Sequence, residues 1–593
     1  MKKIFSILFA LVLVASLWLV TAAPVLAEGA IIHVPSDSYS TIQEAIDAAS
    51  DGDTIVVAAG LYNENVVIDK SLTLKGAQAG VDARTRSGDE TIIEPDGEKS
   101  GISIITTDGR VVVIDGLTVQ NGAHGIINSD YVEAGLGVEA DITVKNVCVL
   151  NPSEFGISLT FTMSTTVEYC YVENAEIAIN AGAVEPTPPT VATFRNNEVV
   201  NSAFGITGYL KDSLIEGNLV RDFAGGGVGI SAQFLNTEIK NNTVTGYVEG
   251  AALTFEKSHH DRPISENVNV KNNTFTGNSI GIYVFGTQTE LNGITVNFNN
   301  FDDNSWYGVR NEGGETLDAT KNWWGANDGP SYAGPGKGDR VSDNVDFEPW
   351  LGAALVTLKT ETVTDDTIDA KDEADTEVVV TGTATVTMAQ LAGNPGGDAP
   401  TDFGALGKYI DVYVPDTTEV TEIEIRLYYT NNEVAEAGIS EEESLRLFWW
   451  NGIEWVQCSD SEVNTASANG YSGYMWAKIR NDTTPSLADL QGTEFGGYGH
   501  PSEPPHQICF IATAAYGTDR ANEIDILREF RDVVLLPNSL GAKLVSFYYK
   551  TSPPIANFIS QHEVLRTTVR VGFVDPIVKI LDWTHDLWST IDS

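Results

Sequence analysis

The chain has 593 residues, 42% of them hydrophobic, with 82 Asp plus Glu against 35 Lys plus Arg and a formal charge of −47. That length is enough for several domains. The acidic balance excludes nucleic-acid binding through phosphates, which needs a basic face, and it disfavours anionic lipid. It suits a long solvated exterior that holds Ca²⁺ loosely.

In chain order, the first element is an export signal over residues 1–27. Lys2 and Lys3 precede an apolar run over 4–20, and Val25-Leu26-Ala27 supplies the small residues a signal peptidase needs, so the mature chain is expected to start at Glu28. No later segment has 18 uninterrupted apolar residues, so no further membrane span is expected.

A repeat follows. Between Asn121 and Val309 a polar corner, then a small residue and an aliphatic one, return eight times: Asn121…Gly125-Ile126, Asn151…Gly156-Ile157, Asn174…Ala178-Ile179, Asn201…Gly205-Ile206, Asp222…Gly229-Ile230, Gly246…Ala252-Leu253, Asn278…Gly281-Ile282 and Asn304…Gly308-Val309. The asparagines recur every 21 to 30 residues or so, a period that marks a solenoid. The strand before each corner repeats too, as in Ile239-Lys240-Asn241-Asn242-Thr243-Val244 and Val270-Lys271-Asn272-Asn273-Thr274-Phe275. Its apolar alternation is that of a strand, and Asn tolerates the left-handed backbone that turns the chain. Stacking predicts a parallel β-helix of roughly ten coils over about 31–351. Asn197, Asn218, Asn242, Asn273 and Asn299 would lie above one another with their amides hydrogen-bonded, and small residues at the Gly-Ile steps would let coils approach.

Cys148 and Cys170 fall one position out of register in consecutive coils, beside Tyr171 and Val147, so no disulfide is expected between them. Cys458 and Cys509 are the candidate pair for a disulfide or an attachment in an oxidising compartment. The acidic stretches Asp302-Asp303 and 339–346 are candidate positions for Ca²⁺, the one cofactor considered, but lack the ligand spacing of a calcium loop.

Beyond the solenoid (28–352), residues 353–376 are acidic and read as a linker. Residues 377–495 alternate in antiparallel fashion, with turns such as Asn451-Gly452, and read as a β-sandwich. The Gly- and Pro-rich segment 496–507 reads as a second linker. Residues 508–593 turn helical, with Ile524, Leu527, Phe530 and Val534 on one face.

The start of the solenoid, Tyr39-Ser40-Thr41-Ile42-Gln43-Glu44-Ala45-Ile46-Asp47-Ala48-Ala49 followed by Asp51-Gly52-Asp53-Thr54-Ile55-Val56-Val57, resembles the N-terminal cap of the pectin-lyase-like right-handed parallel β-helix superfamily, where a short helix plugs the first coil. The Asn-Asn ladder and Lys321-Asn322-Trp323-Trp324-Gly325 resemble its NosD-type branch, found in many prokaryotic surface proteins. Leu447-Phe448-Trp449-Trp450-Asn451-Gly452 resembles a surface-protein β-sandwich module, and Cys509-Phe510-Ile511-Ala512-Thr513-Ala514-Ala515-Tyr516-Gly517 resembles the CFI-box C-terminal domain, which implies sorting or attachment. One fold hosts many functions, so the resemblance bears on architecture more than activity.

Members of this superfamily that cleave acidic glycans need paired carboxylates, or a cation with a base for the C5 proton. Neither set is complete here. The remaining catalytic candidates are His259, His260, Asp261 and Arg262, where imidazoles and a guanidinium in one insertion supply a base and a charge clamp. No metal site is read, because neighbouring residues on a strand point oppositely. Trp306, Tyr307, Trp323 and Trp324 are candidates to stack sugar rings, or else to close the open end of the core. The reading favoured is an exported cell-surface protein, non-catalytic, that presents a polysaccharide- or partner-binding face and is fixed through its C-terminal domain. The alternatives are a polysaccharide lyase or hydrolase, and a structural surface-layer component.

Overall fold

The computed structural model describes residues 29–97, 99–106, 109–128, 138–160, 162–182, 189–256, 265–285, 291–400, 403–439, 442–501, 510–516, 522–535, 539–560 and 562–585. The expected leader at 1–27 and Cys509 lie outside them.

Each coil of the solenoid has three strands, as in Thr162–Glu168, Tyr171–Glu173 and Ile177–Ala181. The short middle strands form a ten-stranded parallel sheet, and the others join a sheet of 24 strands. The Asn residues do what their chemistry predicts. Asn121, Asn146, Asn151, Asn174, Asn196, Asn241 and Asn272 all hold φ between 53° and 60°, a left-handed turn that side chains other than Asn, Asp and Gly resist.

The residue after each left-handed corner, at Asn196, Gly217, Asn241, Asn272, Phe298 and Lys321, points inward. Nδ2 of Asn197 donates to Asn218 (2.9 Å), Asn218 to Asn242 (2.9 Å), Asn242 to Asn273 (3.0 Å), Asn273 to Asn299 (3.0 Å) and Asn299 to Asn322 (3.1 Å). Each amide also bonds main chain, so the column is satisfied although it is buried: the Asn242 Oδ1 accepts from Asn218 N, and its Nδ2 donates to the Ile215 carbonyl. Losing one member would orphan several groups at about 1–3 kcal/mol each.

Beside the ladder, the aliphatic residue of each repeated phrase forms a column without solvent exposure, from Ile126 through Ile157, Ile179, Ile206, Ile230, Leu253 and Ile282 to Val309. Each such burial contributes roughly 1.5–3 kcal/mol. The preceding small residue is sterically required. A Cβ on Gly156 would lie 2.4 Å from the Ala178 carbonyl oxygen, and one on Gly205 would lie 2.4 Å from that of Gly229. Cys148 registers with Tyr171 as the repeat implies, and Cys148 and Cys170 are free thiols. Burial pushes the Cys170 thiol up to about 12.

A short helix, Ile42–Ala48, closes the first coil and buries Ile42, Ala45 and Ile46. Thr41 and Glu44 form its capping box, Glu64 accepts from the amides of Ile42 and Gln43 (3.0 Å each), and Lys70 donates to the carbonyls of Ile46 (2.8 Å) and Asp47 (2.7 Å). At the far end Trp324 lies flat on Phe301, 4.8 Å between ring centroids, and Phe301 stacks on Phe275 at 5.4 Å.

An antiparallel, nearly closed sheet follows directly, and two sequence expectations need correction. Residues 353–376 are not a linker. Leu355–Thr364 pairs with the long strand Thr376–Leu391, and Thr367–Ala370 pairs with the same strand. Hydroxyl pairs Thr360–Thr387 (3.0 Å), Thr362–Thr385 (2.7 Å) and Thr364–Thr383 (3.0 Å) knit the edge. The acidic composition masked a run of β-branched threonines whose cross-strand pairing stabilises a strand, while the charges suit an exposed edge. Within the expected second linker, residues 496–499 complete the buried strand Thr493–Gly499. Its glycines let the backbone press on Tyr409 and Met475, where a Cβ would meet ring carbons at 3.0 Å and the methyl at 2.6 Å. Residues 502–507 fall outside the described set.

Asn300 exchanges both its amide bonds with the main chain of Leu355 (2.8 Å each), and Phe298, Leu351, Tyr409, Phe448 and Tyr498 share one apolar cluster. The last coil is therefore continuous in packing with the antiparallel domain. The C-terminal region is helical, including Asn522–Phe530, Ser539–Ser560 and Asp575–Trp583, and Ile524 is buried there as expected. No helix among the described residues is long and apolar enough to cross a membrane.

Candidate functional site

The coils differ in one outward column. Register places Ser158, Asn180, Thr207, Ser231, Thr254, Tyr283 and Arg310 side by side on successive strands. Small polar residues fill it until the last two coils, where Tyr and Arg replace them. Strand alternation sends Ile282, Val284 and Val309 inward without exposure, so Tyr283, Phe285 and Arg310 must face out.

These side chains gather into a ledge. The Arg310 guanidinium lies 4.2 Å from the Trp306 ring centroid, 5.2 Å from Tyr283 and 5.8 Å from Tyr307. Arg340 lies 4.8 Å from both Tyr307 and Tyr332. Phe285 meets Tyr283 edge-on at 5.5 Å, and Tyr332 meets Tyr307 edge-on at 6.1 Å. Trp306, Phe285 and Tyr332 are 44%, 52% and 63% exposed. Tyr332 holds φ at 74°, a strained setting for a bulky side chain, costing about 1–3 kcal/mol of the kind that collects at binding sites. Glu312 pairs with Arg310 and accepts the Tyr283 hydroxyl at 2.9 Å. Arg340 has no carboxylate within ion-pair distance among the described residues. Beneath it, Asp339 accepts from Asn304 Nδ2 at 2.6 Å, and burial lifts its carboxyl to about 6.

Of the residues singled out in the sequence, Trp306 and Tyr307 belong to this ledge. Trp324 does not: it is fully buried. Trp323 packs against the cluster shared with the antiparallel domain. His259, His260, Asp261 and Arg262 lie outside the described residues. The strand that leads into them ends at Glu256, the register partner of Phe285. Cys458 is a free thiol in the antiparallel core, and burial raises its pKa. Asp303 sits at a left-handed corner with φ of 57°, as turn chemistry requires. No three His, Cys, Asp or Glu side chains converge to hold a metal among the described residues. Tyr283, Phe285, Arg310, Tyr332 and Arg340 were missed. The first and third were readable as the exceptions to the small polar column.

Residues 156–323 match the family model described as the right handed beta helix region. A cell surface glycoprotein of Methanothermus fervidus is 37% identical over 93 residues, which is 15% of this chain and 14% of that protein's own length. Among solved structures, the pectin methylesterase of Aspergillus niger is 18% identical, covering 38% of this chain and 80% of its own with a TM-score of 0.25. The A-module of the mannuronan C-5 epimerase of Azotobacter vinelandii is 16% identical, covering 49% and 78% with a TM-score of 0.30. The solenoid is thus a right-handed parallel β-helix, and these likenesses concern its fold alone.

Proposed function

We propose that this is an exported cell-surface protein whose β-helix holds an acidic polysaccharide on the ledge and which is fixed through its C-terminal domain, without cleaving what it binds. One observation carries the reading: in a chain of net charge −47, Arg310 and Arg340 converge on one exposed row of aromatic rings. Aromatic faces stack on the C–H faces of sugar rings, and guanidinium groups bind carboxylates in a fork geometry. The short match to a cell surface glycoprotein supports the location.

The test is affinity electrophoresis and calorimetry of the full chain against polygalacturonate, alginate and neutral glucans. Retention by the uronates alone, abolished by Arg310→Ala with Arg340→Ala, is expected. Equal retention by neutral glucans would overturn the reading. The same mixtures, followed by absorbance at 235 nm and by new reducing ends, should stay silent. A rise in either would make the protein a lyase or a hydrolase and direct attention to His259, His260, Asp261 and Arg262.

A further inference from the structure

A cleft of about 810 Å³ opens between the last coil and the antiparallel domain. Trp350 from the solenoid and Trp450 from the domain line it, with Asp328, Glu348, Asp489 and Glu494, while the neighbouring Trp449 turns into the domain core; no Lys or Arg lines it among the described residues. Its size is that of a small-molecule site.

Its inner wall carries an unusual group of charges. Glu494 and Asp411 are register partners on adjacent antiparallel strands, so their side chains share a face as nearest cross-strand neighbours. They are 6% and 1% exposed. The nearby cation is Lys321, which reaches over from the solenoid, donates to the Gln491 carbonyl at 2.6 Å and lies 4.7 Å from the Tyr413 ring. Gly492 makes room for it, since a Cβ there would sit 1.6 Å from Nζ. Neither carboxyl is within ion-pair distance of a cation among the described residues, and Asp411 Oδ1 has no hydrogen-bond donor. Two buried carboxyls facing one ammonium cannot both stay ionised unless a further positive charge arrives. A buried charge must be neutralised by a proton or met by a partner. Glu494, the member that lines the cleft, is the one an outside partner can reach. Among the described residues no three His, Cys, Asp or Glu side chains converge here. An organic cation suits indole rings, which attract ammonium groups through their faces.

We propose that this cleft binds the primary ammonium group of an amino sugar, with Glu494 receiving the ammonium and Trp350 and Trp450 contacting the ring. Two indoles flanking this volume, Trp350 and Trp450, fit a pyranose better than the thin side chain of a lysine. In the empty cleft, burial and the neighbouring Asp411 push the Glu494 carboxyl up to about 8, against the smaller opposing pulls of its own backbone amide, Lys321 and the Gly352 amide. Glu494 is therefore mostly protonated at neutral pH, and arrival of an ammonium group drives that proton into solvent.

The test is isothermal calorimetry of the full chain at pH 7.5 with the β-1,4-linked glucosamine dimer, its N-acetylated counterpart and N-acetyl-lysine methylamide. The amine sugar should bind at least tenfold more tightly than either comparator, with proton uptake by the buffer visible when buffers of different ionisation heat are exchanged. Glu494→Gln, which keeps the size and neutral state of the side chain, should weaken it at least tenfold and abolish the proton release. If that variant fails to fold, the exposed Glu348→Gln should still weaken binding severalfold. Absence of binding, equal binding of the acetylated dimer, a preference for the lysine amide, or indifference to these variants would each overturn the proposal.

Discussion

The ledge and the cleft are built from the same aromatic material and opposite charge. On the ledge, Trp306, Tyr307 and Tyr332 surround Arg310 and Arg340 in the open. In the cleft, Trp350 and Trp450 lie beside Glu494 and its acidic neighbours. In so acidic a chain a carboxylate carries little information by itself and a pair of arginines carries much. What distinguishes the cleft is the burial of its acids without an ion-pair partner. Exposed charge declares a ligand by sign, whereas a buried acid declares one by the proton it must otherwise keep.

The comparison breaks most completely if the shared scaffold goes. Asn299 is fully buried between Asn273 and Asn322, just beneath the last coils. Asn299→Ala should cost about 2–4 kcal/mol through orphaned amides and degrade both sites together, seen as a lowered melting temperature and lost binding of uronate and amine alike.

Next, Arg310→Ala with Arg340→Ala should remove about 3 kcal/mol of uronate binding, at the low end of about 1.5–3 for each charge-assisted contact because the ledge is open to solvent, while leaving the glucosamine dimer untouched. The third contrast is pH. The folded Glu494 carboxyl is raised from 4.5 to about 8, and that of Asp411 from 3.8 to about 6. The native state therefore holds these protons more tightly than the unfolded chain does. Their contribution to stability is complete below the ordinary carboxylate range and is lost as pH rises towards 8. The melting temperature should fall between pH 5 and pH 8, and Glu494→Gln should flatten much of that slope. Salt gives a smaller difference: raising it from 0.05 to 0.5 M should weaken the exposed ledge roughly three- to tenfold and the buried cleft less than twofold. Smallest of all, Trp306→Ala should cost about 0.5–1 kcal/mol of uronate binding.

The solenoid was legible because its determinants are periodic. Asn242 and Asn273 repeat a chemistry whose geometry follows from one coil, and their ladder formed as expected. The edge strand Leu355–Thr364 was not legible, since its pairing partner lies beyond a reversal and its glutamate and threonines imitate a linker. Arg310 and Tyr283 stood in a readable column, but Arg340 and Tyr332 come from an irregular final turn without a repeat to index them. The cleft was beyond reach: Lys321 and Glu494 are 173 positions apart in the chain, and only the docking of the domain against the last coil joins them.

That docking has a consequence for assembly. A stack of parallel coils is a growing edge at each end, open to any strand that matches it. Here the helix Ile42–Ala48 stops one end, and the strand Leu355–Thr364, tied to Asn300, stops the other. The molecule is in effect a polymer of coils with both terminators written into its own sequence. Cutting after Leu351 would uncap the final coil, and the truncated solenoid should then elongate into filaments by end-to-end addition.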